Sequence, residues 1–310
     1  MKEYPRLKSW FSVVLHVHTK LDHLLPSSEQ ELENLTHESN VSLSSLLERA
    51  RVFFNDSEIL ICDTDHPIHV LDRKGVSRKE AFTSNKISET IEIISQGVTE
   101  RSRLVSSLGK NIITGVEAYI LNSDGLLDVN DESLRQLDLV IASFHYNYWK
   151  MANEGKKPTG YDYIASLIGA ASNPHVDILG HPIRELQPIH LEEIRINDFD
   201  ELFCLMRDRE VAYELNLQDY ILNDKSKKTD FERDLIQRAA NLGVLFVIGL
   251  DFHNFNDYQI YNESGGLNLK LFRRLWQIMT QFYHLGVDEN NLINRNPELF
   301  LKWIKERNGK

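Results

Sequence analysis

Histidine commands attention in this chain for where it falls rather than for how often. There are twelve in 310 residues, and six of them follow closely on short apolar, β-branched runs. His16 and His18 stand in LHVHT, His66 in ICDTDHP, His145 in IASFH, His181 in ILGHP and His253 in IGLDFH. Runs of the same kind carry Glu117 in TGVEAY and Glu214 in YELN, and Asp251 stands two positions before His253. On a strand, side chains at i and i+2 share a face with their Cα atoms roughly 6.6 Å apart. His16 and His18, and Asp251 and His253, can therefore each aim two groups into one cavity. Imidazole nitrogens and carboxylate oxygens suit Zn, Mn or Fe, and no thiolate stands among them. Crowded together without a cation, such groups would be desolvated and partly unpaired at considerable cost. A carboxylate such as Glu117 can bridge two cations and offset their repulsion, so the residues point to a multinuclear metal site. Glu214 reads either as a ligand or as a group that orients an imidazole; the second is favoured, with Asn216 as its partner. His37, His69, His175, His190 and His284 fall in loops, at a strand start or on a helix, outside the pattern.

The elements that must position these groups repeat almost from end to end. Strands are expected over 12–19, 58–65, 112–121, 139–144, 177–180, 212–217 and 245–250. Apolar residues at helical spacing lie between them, as in Leu43, Leu46, Leu47 and Ala50, in Phe199, Leu202, Phe203 and Met206, and in Leu235, Ile236, Ala239 and Leu242. Residues 78–109 are long for one crossover and read as two helices or one long exposed one. Strand and helix repeated about seven times imply parallel strands with right-handed crossovers. A TIM-like α/β barrel, which takes roughly 250 residues, accommodates this better than two domains. One barrel domain is expected over 1–310, with an acidic loop insertion at 24–40. Each strand then delivers a His or a carboxylate at or near its C-terminal end, the face where barrel active sites assemble.

Composition removes other classes. With 42% hydrophobic and 26% charged residues, the chain is neither disordered nor fibrous. Lys+Arg 35 against Asp+Glu 46 leaves a net charge of −11, which disfavours a passive grip on nucleic-acid phosphates. No apolar stretch approaches the roughly 20 residues that span a bilayer, and the N-terminus lacks a signal-peptide pattern. Cys62 and Cys204 are the two cysteines, with no CxxC spacing, and Cys62 reads as buried filler. A cytoplasmic protein is expected. There is no GxSxG and no P-loop, so neither a nucleophile-elbow serine nor a Walker-type phosphate cradle is present.

Taken in order, HxH, TDH, GxE, SxH, GHP and DxH resemble the PHP (polymerase and histidinol phosphatase) superfamily. The resemblance runs from His16 to His253. It implies a distorted seven-stranded βα barrel with two or three catalytic divalent metals. It implies that His16, His18, Glu117 and Asp251 hold one metal, and that Glu117 bridges to a second held by His145 and His181. His66, His253 and His23 would take a third. The sequence departs from the family at Asp22-His23-Leu24, where an SDG triplet is common, so Asp22 is the alternative to His23. The 24–40 segment also delays the TDH motif.

The resulting expectation is a metal-dependent phosphoesterase that cleaves phosphate esters with a metal-activated hydroxide. Arg184, just after GHP, and Lys20, just after HVHT, are candidate phosphate clamps, and Asp65 is a candidate acid for the leaving alkoxide. The aromatic residues Phe144, Tyr146, Tyr148 and Trp149 are candidates for a pocket wall. A phosphomonoesterase acting on a small phosphorylated metabolite, such as histidinol phosphate or a nucleotide, leads. An exonuclease or phosphodiesterase on nucleic acid, and a catalytically silent barrel that binds a partner, are the alternatives.

Overall fold

The structure is a computed structural model that describes residues 13–19, 42, 43, 46, 60–83, 85–107, 109, 111–184, 194–221, 230–251, 253 and 269–309. Seven parallel strands lie in sequential order: β1 (Val13–Val17), β2 (Leu60–Asp63), β3 (Ile112–Tyr119), β4 (Leu139–Ser143), β5 (Ile178–Gly180), β6 (Ala212–Asn216) and β7 (Phe246–Gly249). The expected strands are all present; His16, Glu117 and Glu214 lie within the ladder, and His18, His66, His145, His181, Asp251 and His253 follow the ends of their strands. Helices occupy the crossovers from β2 onward, and 78–109 holds two, Arg78–Ala81 and Ile87–Ser106. The 24–40 segment lies outside the described residues.

Strand alternation divides the apolar residues into two clusters. Every strand contributes to the inner one: Val13 and Leu15, Leu60 and Cys62, Ile113, Leu139 and Ile141, Ile178, Ala212, and Val247. Their neighbours of opposite parity, such as Val14, Ile61, Val116, Val140, Leu179, Tyr213 and Ile248, pack with the helices. The fold is a nearly closed TIM-like barrel with a filled interior. Cys62 is wholly buried in that interior.

Closure between the first and last strands is made by few groups. Leu250 N–H donates to the Leu15 carbonyl at 3.0 Å. One step earlier, the Asn294 side chain takes the place of a neighbouring strand: its Oδ1 accepts from Ile248 N–H at 2.9 Å and its Nδ2 donates to the Ile248 carbonyl at 2.8 Å. Asn294 is fully buried, so these bonds satisfy an edge that would otherwise be desolvated and unpaired. The helix Pro297–Asn308 then brings Phe300, Trp303 and Ile304 against the inner cluster.

One buried acid beside β3 gives the fold a pH dependence. Asp128 is fully buried; its Oδ1 accepts from Tyr119 N–H at 2.8 Å, and its Oδ2 has no hydrogen-bond partner. Burial pushes its pKa up to about 8, against the pull of the Tyr119 and Asp128 backbone N–H groups. The native state thus binds this proton more tightly than the unfolded chain does. The stability it contributes is complete below the unfolded value near 3.8 and is lost as pH rises through that value toward 8. Asp128→Asn keeps an acceptor for Tyr119 and removes the buried charge. Relative to the parent chain its melting temperature is expected to rise from pH 5 to pH 9, by an amount corresponding to about 4 kcal/mol, while the cost of the unpaired amide is the same at both pH values. Thermal melts at both pH values check this, and a difference that does not change with pH counts against it.

Candidate active site

Glu117, fully buried on β3, is the centre of the cluster. Five imidazoles face its two oxygens. Oε2 lies 2.8 Å from His66 Nδ1, 3.2 Å from His16 Nε2 and 3.6 Å from His18 Nε2. Oε1 lies 2.9 Å from His181 Nε2 and 3.3 Å from His145 Nε2. Asp251 Oδ1 is 3.2 Å from His18 Nε2 and 3.9 Å from His16 Nε2. His253 completes the ring, its imidazole 4.3 Å from that of His18 between centroids. The eight described residues of the expected ligand set therefore meet at one end of the barrel. His23, Asp22 and Lys20 lie outside the described residues.

The backbone turns these side chains inward by departing from regular strand. Residues 13 and 15 of β1 face the barrel interior, yet it is His16 and His18 that join the site. The parity changes because the β1–β2 register shifts between Val14 and Val17, where His16 has φ 58°. His181 and Asp251 also have positive φ, 30° and 49°. Of the five non-glycine residues with positive φ among those described, three are in this cluster. Each such conformation costs about 1–3 kcal/mol and persists only where the surroundings enforce it.

Behind the ring of ligand atoms stands a set of orienting groups. Glu214 Oε1 lies 2.5 Å from His16 Nδ1, and its Oε2 accepts from the His181 backbone N–H at 2.7 Å. Asn216 Nδ2 reaches the same Oε2 at 3.4 Å. A proton on His16 Nδ1 leaves Nε2 turned toward Glu117, the usual arrangement behind a metal-binding imidazole. Gly249 makes room for it: a Cβ there would stand 1.7 Å from Glu214 Oε1. Arg184 donates from Nε to Asp219 at 2.9 Å and from Nη1 to Asp251, while its buried Nη2 has no hydrogen-bond partner. Asp65 Oδ1 lies 3.6 Å from His18 Nδ1, and its Oδ2 lies 3.3 Å from Arg101 Nη1. Of the aromatic residues, Phe144 and Trp149 are buried in the core, while Tyr148 is half-buried and packs on Tyr119, whose ring is 4.4 Å from that of His145. Tyr119, two positions after Glu117 on the same strand face, was not foreseen from the sequence, although period-2 spacing marks it.

The electrostatics call for cations. Burial opposes charge on His16, but the carboxylates of Glu214, Glu117 and Asp251 outweigh it and hold its pKa well above the ordinary value. His18 is raised to about 9 in the same way, with burial overcome by Asp251, Asp65 and Glu117. Burial resists ionisation of Glu117, and the surrounding His66 and His16 nevertheless keep its pKa well below the carboxylate range. Burial and the neighbouring His18 hold His66 well below its usual value despite Glu117, leaving it neutral as a ligand must be.

Several buried atoms make no hydrogen bond although oppositely polarised atoms stand close by. They are His16 Nε2, His66 Nδ1 and Glu117 Oε2. His66 Nδ1 and Glu117 Oε2 are 2.8 Å apart without hydrogen-bond geometry. Orphaned polar atoms in a core are rare and need an explanation, and a shared ion supplies one. Three overlapping groups have ligand atoms within 4.8 Å of one another: His18, His66 and His253; His16, His18 and Glu117; and His66, Glu117 and His145. These buried clusters could bind metal ions.

Similarity to known proteins agrees with such a site. A probable phosphatase of Caldanaerobacter subterraneus subsp. tengcongensis is 32% identical over 236 residues, 75% of this chain and 80% of that protein. The chain belongs to this family of probable phosphatases. Relatives of the same description in Thermoanaerobacter sp. (strain X514) and Vibrio campbellii are each 26% identical, over 90% and 89% of this chain and 96% and 92% of theirs. No family model matches the sequence. The likeness supports phosphatase activity, and with it a hydrolase. Among the described residues of this phosphatase-family chain, no helix is long and apolar enough to cross a membrane.

Proposed function

We propose that this chain is a metal-dependent phosphomonoesterase of the PHP type that acts on a small phosphorylated metabolite. The observation that carries this reading is the convergence of six imidazoles with Glu117 and Asp251 at the C-terminal end of the barrel, with buried donor atoms that no hydrogen bond among the described residues satisfies. His16, His18, His66, Glu117, His145, His181, Asp251 and His253 would hold two or three divalent ions, Zn, Mn or Fe, with His23 as a further ligand. Such ions supply a Lewis acid for the phosphoryl oxygens and a source of nucleophile at neutral pH.

The chain's own groups supply binding and orientation. Glu214 keeps the His16 proton on Nδ1 and fixes His181 through its backbone. Arg184 is held by Asp219 and Asp251, and its remaining Nη2 donor, which has no hydrogen-bond partner, would take a phosphate oxygen. Lys20 is the second candidate for that task. The side chains of His145 and His253 are 20% and 22% exposed, so a substrate would arrive along this edge of an otherwise closed cluster. The net charge of −11, with Glu29, Glu31, Glu33 and Glu38 close in sequence to the first strand, opposes a polyanion more than a compact phosphate.

Phosphate release from metal-reconstituted protein tests the proposal. Sugar phosphates, nucleotides, histidinol phosphate and a short single-stranded oligonucleotide form the panel. At least one small phosphomonoester is expected to turn over, with little degradation of the oligonucleotide at moderate salt. Equal kcat/KM on the oligonucleotide and the best small substrate would make the nuclease reading primary. Elemental analysis showing no ion per chain after reconstitution with Mn or Zn would remove the metal site.

A further inference from the structure

Arg101 belongs to none of the motifs, yet its guanidinium ties together the ends of the first two strands. It projects from the helix Ile87–Ser106, and its side chain is only 14% exposed. Nη2 donates to the Thr19 carbonyl at 2.7 Å and to Asp63 Oδ2 at 3.0 Å, and Nε donates to the same Oδ2 at 3.2 Å. Nη1 lies 3.3 Å from Asp65 Oδ2. Thr19 Oγ1 donates in turn to Asp63 Oδ1 at 2.7 Å. Thr19 follows His18, and Asp65 precedes His66. One fork of donors therefore grips the residues that flank two members of the candidate cluster.

The contact that matters for chemistry is the one Arg101 makes through Asp65. Asp65 Oδ1 faces His18 Nδ1 at 3.6 Å, while His18 Nε2 faces Asp251 and Glu117 on the other side of the ring. At that distance the contact is electrostatic, and a carboxylate on the Nδ1 side favours the tautomer that leaves Nε2 free to face an ion. Asp65 can favour that tautomer only if Asp65 is itself held, and Arg101 is the described cation that does so. Lysine would keep the charge but could not span Asp63, Asp65 and the Thr19 carbonyl together, because it has a single nitrogen where arginine has a rigid fork.

We propose that Arg101 is a positioning residue for the metal centre, acting through Asp65 on the imidazole of His18 and so on the affinity of the His16, His18 and Glu117 group for a divalent ion. The inference rests on the metal-site reading above. It adds a determinant contributed by a helix outside every motif, and its readout is ion affinity rather than turnover.

The test is chelator competition for Zn2+ with the full-length chain, its Arg101→Lys and Asp65→Asn variants and the double variant. Far-UV circular dichroism of the metal-free proteins shows that each is folded. Each single variant is expected to bind at least one zinc ion 10–100-fold more weakly, the range for losing an outer partner of a ligand. If both act on the same imidazole, the double variant loses no more than about threefold beyond the weaker single one. A residue that merely supported the fold would instead multiply its loss with that of Asp65. Unchanged zinc affinity in a folded Arg101→Lys chain, or losses that multiply, overturns the inference while the metal site stands. If Arg101→Lys does not fold, Asp65→Asn decides alone, and wild-type zinc affinity there overturns it. A parent chain that retains no zinc removes the metal-site reading and this inference together.

Discussion

Glu117→Gln is expected to abolish phosphate release and to lower the number of ions bound per chain. The substitution is nearly isosteric, so its effect comes from charge and not from volume. Both carboxylate oxygens are committed, Oε2 toward His16, His18 and His66 and Oε1 toward His145 and His181. An amide offers one acceptor and one N–H2, so one side of the residue would present donors to ligands that must themselves be neutral acceptors. It would also remove the negative charge that offsets repulsion between neighbouring cations. Losing an outer partner of a ligand typically costs 10–100-fold in affinity or activity, and the loss at this central position should exceed that range. Elemental analysis and phosphate release on the same preparation check it. A glutamine variant with full ion content and more than a tenth of parental turnover would show that Glu117 is not a ligand.

What the sequence disclosed and what it hid follow from the range of each signal. Strand positions were legible because an apolar β-branched run is local, and the candidate site residues could be picked out because each sits within a few residues of such a run. His145 and His181 could be placed at strand ends without knowing that strands β4 and β5 pair. The backbone detail was not legible. HVH reads as simple alternation, whereas the register shift and positive φ at His16 are what bring His16 and His18 into the site after Leu15 faces the interior. Gly249 looks like any strand glycine until Glu214, which fills the place of its absent Cβ, is seen beside it. Arg101 had no local signal, since its partners Thr19 and Asp63 are 82 and 38 residues distant in sequence. Asn294, which closes the sheet at Ile248 from 46 residues away, was hidden for the same reason. Pairings across such distances depend on the assembled barrel, whereas motifs depend on one strand.

Phe300→Ala is expected to destabilise the chain by about 3–5 kcal/mol, the usual cost of emptying a buried phenylalanine site. Phe300 is fully buried and shares the inner cluster with residues from all seven strands. It is carried by the helix Pro297–Asn308, whose start is fixed by Asn296 accepting from Glu298 N–H at 2.8 Å and Leu299 N–H at 3.1 Å. Farther along, Trp303 Nε1 donates to the Glu210 carbonyl at 3.1 Å, and Arg307 donates to Asp177 Oδ1 at 3.0 Å and to the Val176 carbonyl at 2.5 Å. Those partners precede β5 and β6, so the helix is pinned at the N-terminal mouth, opposite the histidine cluster. With its rim held in this way, the helix cannot readily collapse into the space left by the ring, which favours the upper part of the range. The melting temperature should fall by on the order of 10 °C. At temperatures where the variant stays folded, its ion content and KM should match those of the parent, because among the described residues Phe300 packs in the apolar inner cluster and not with the candidate site. Such a separation is what a barrel with chemistry at one end and closure at the other requires. Urea unfolding at 25 °C together with metal analysis distinguishes the outcomes: a loss below 1 kcal/mol denies the helix its role as the barrel floor, and lost metal in a folded variant denies the independence of the two ends.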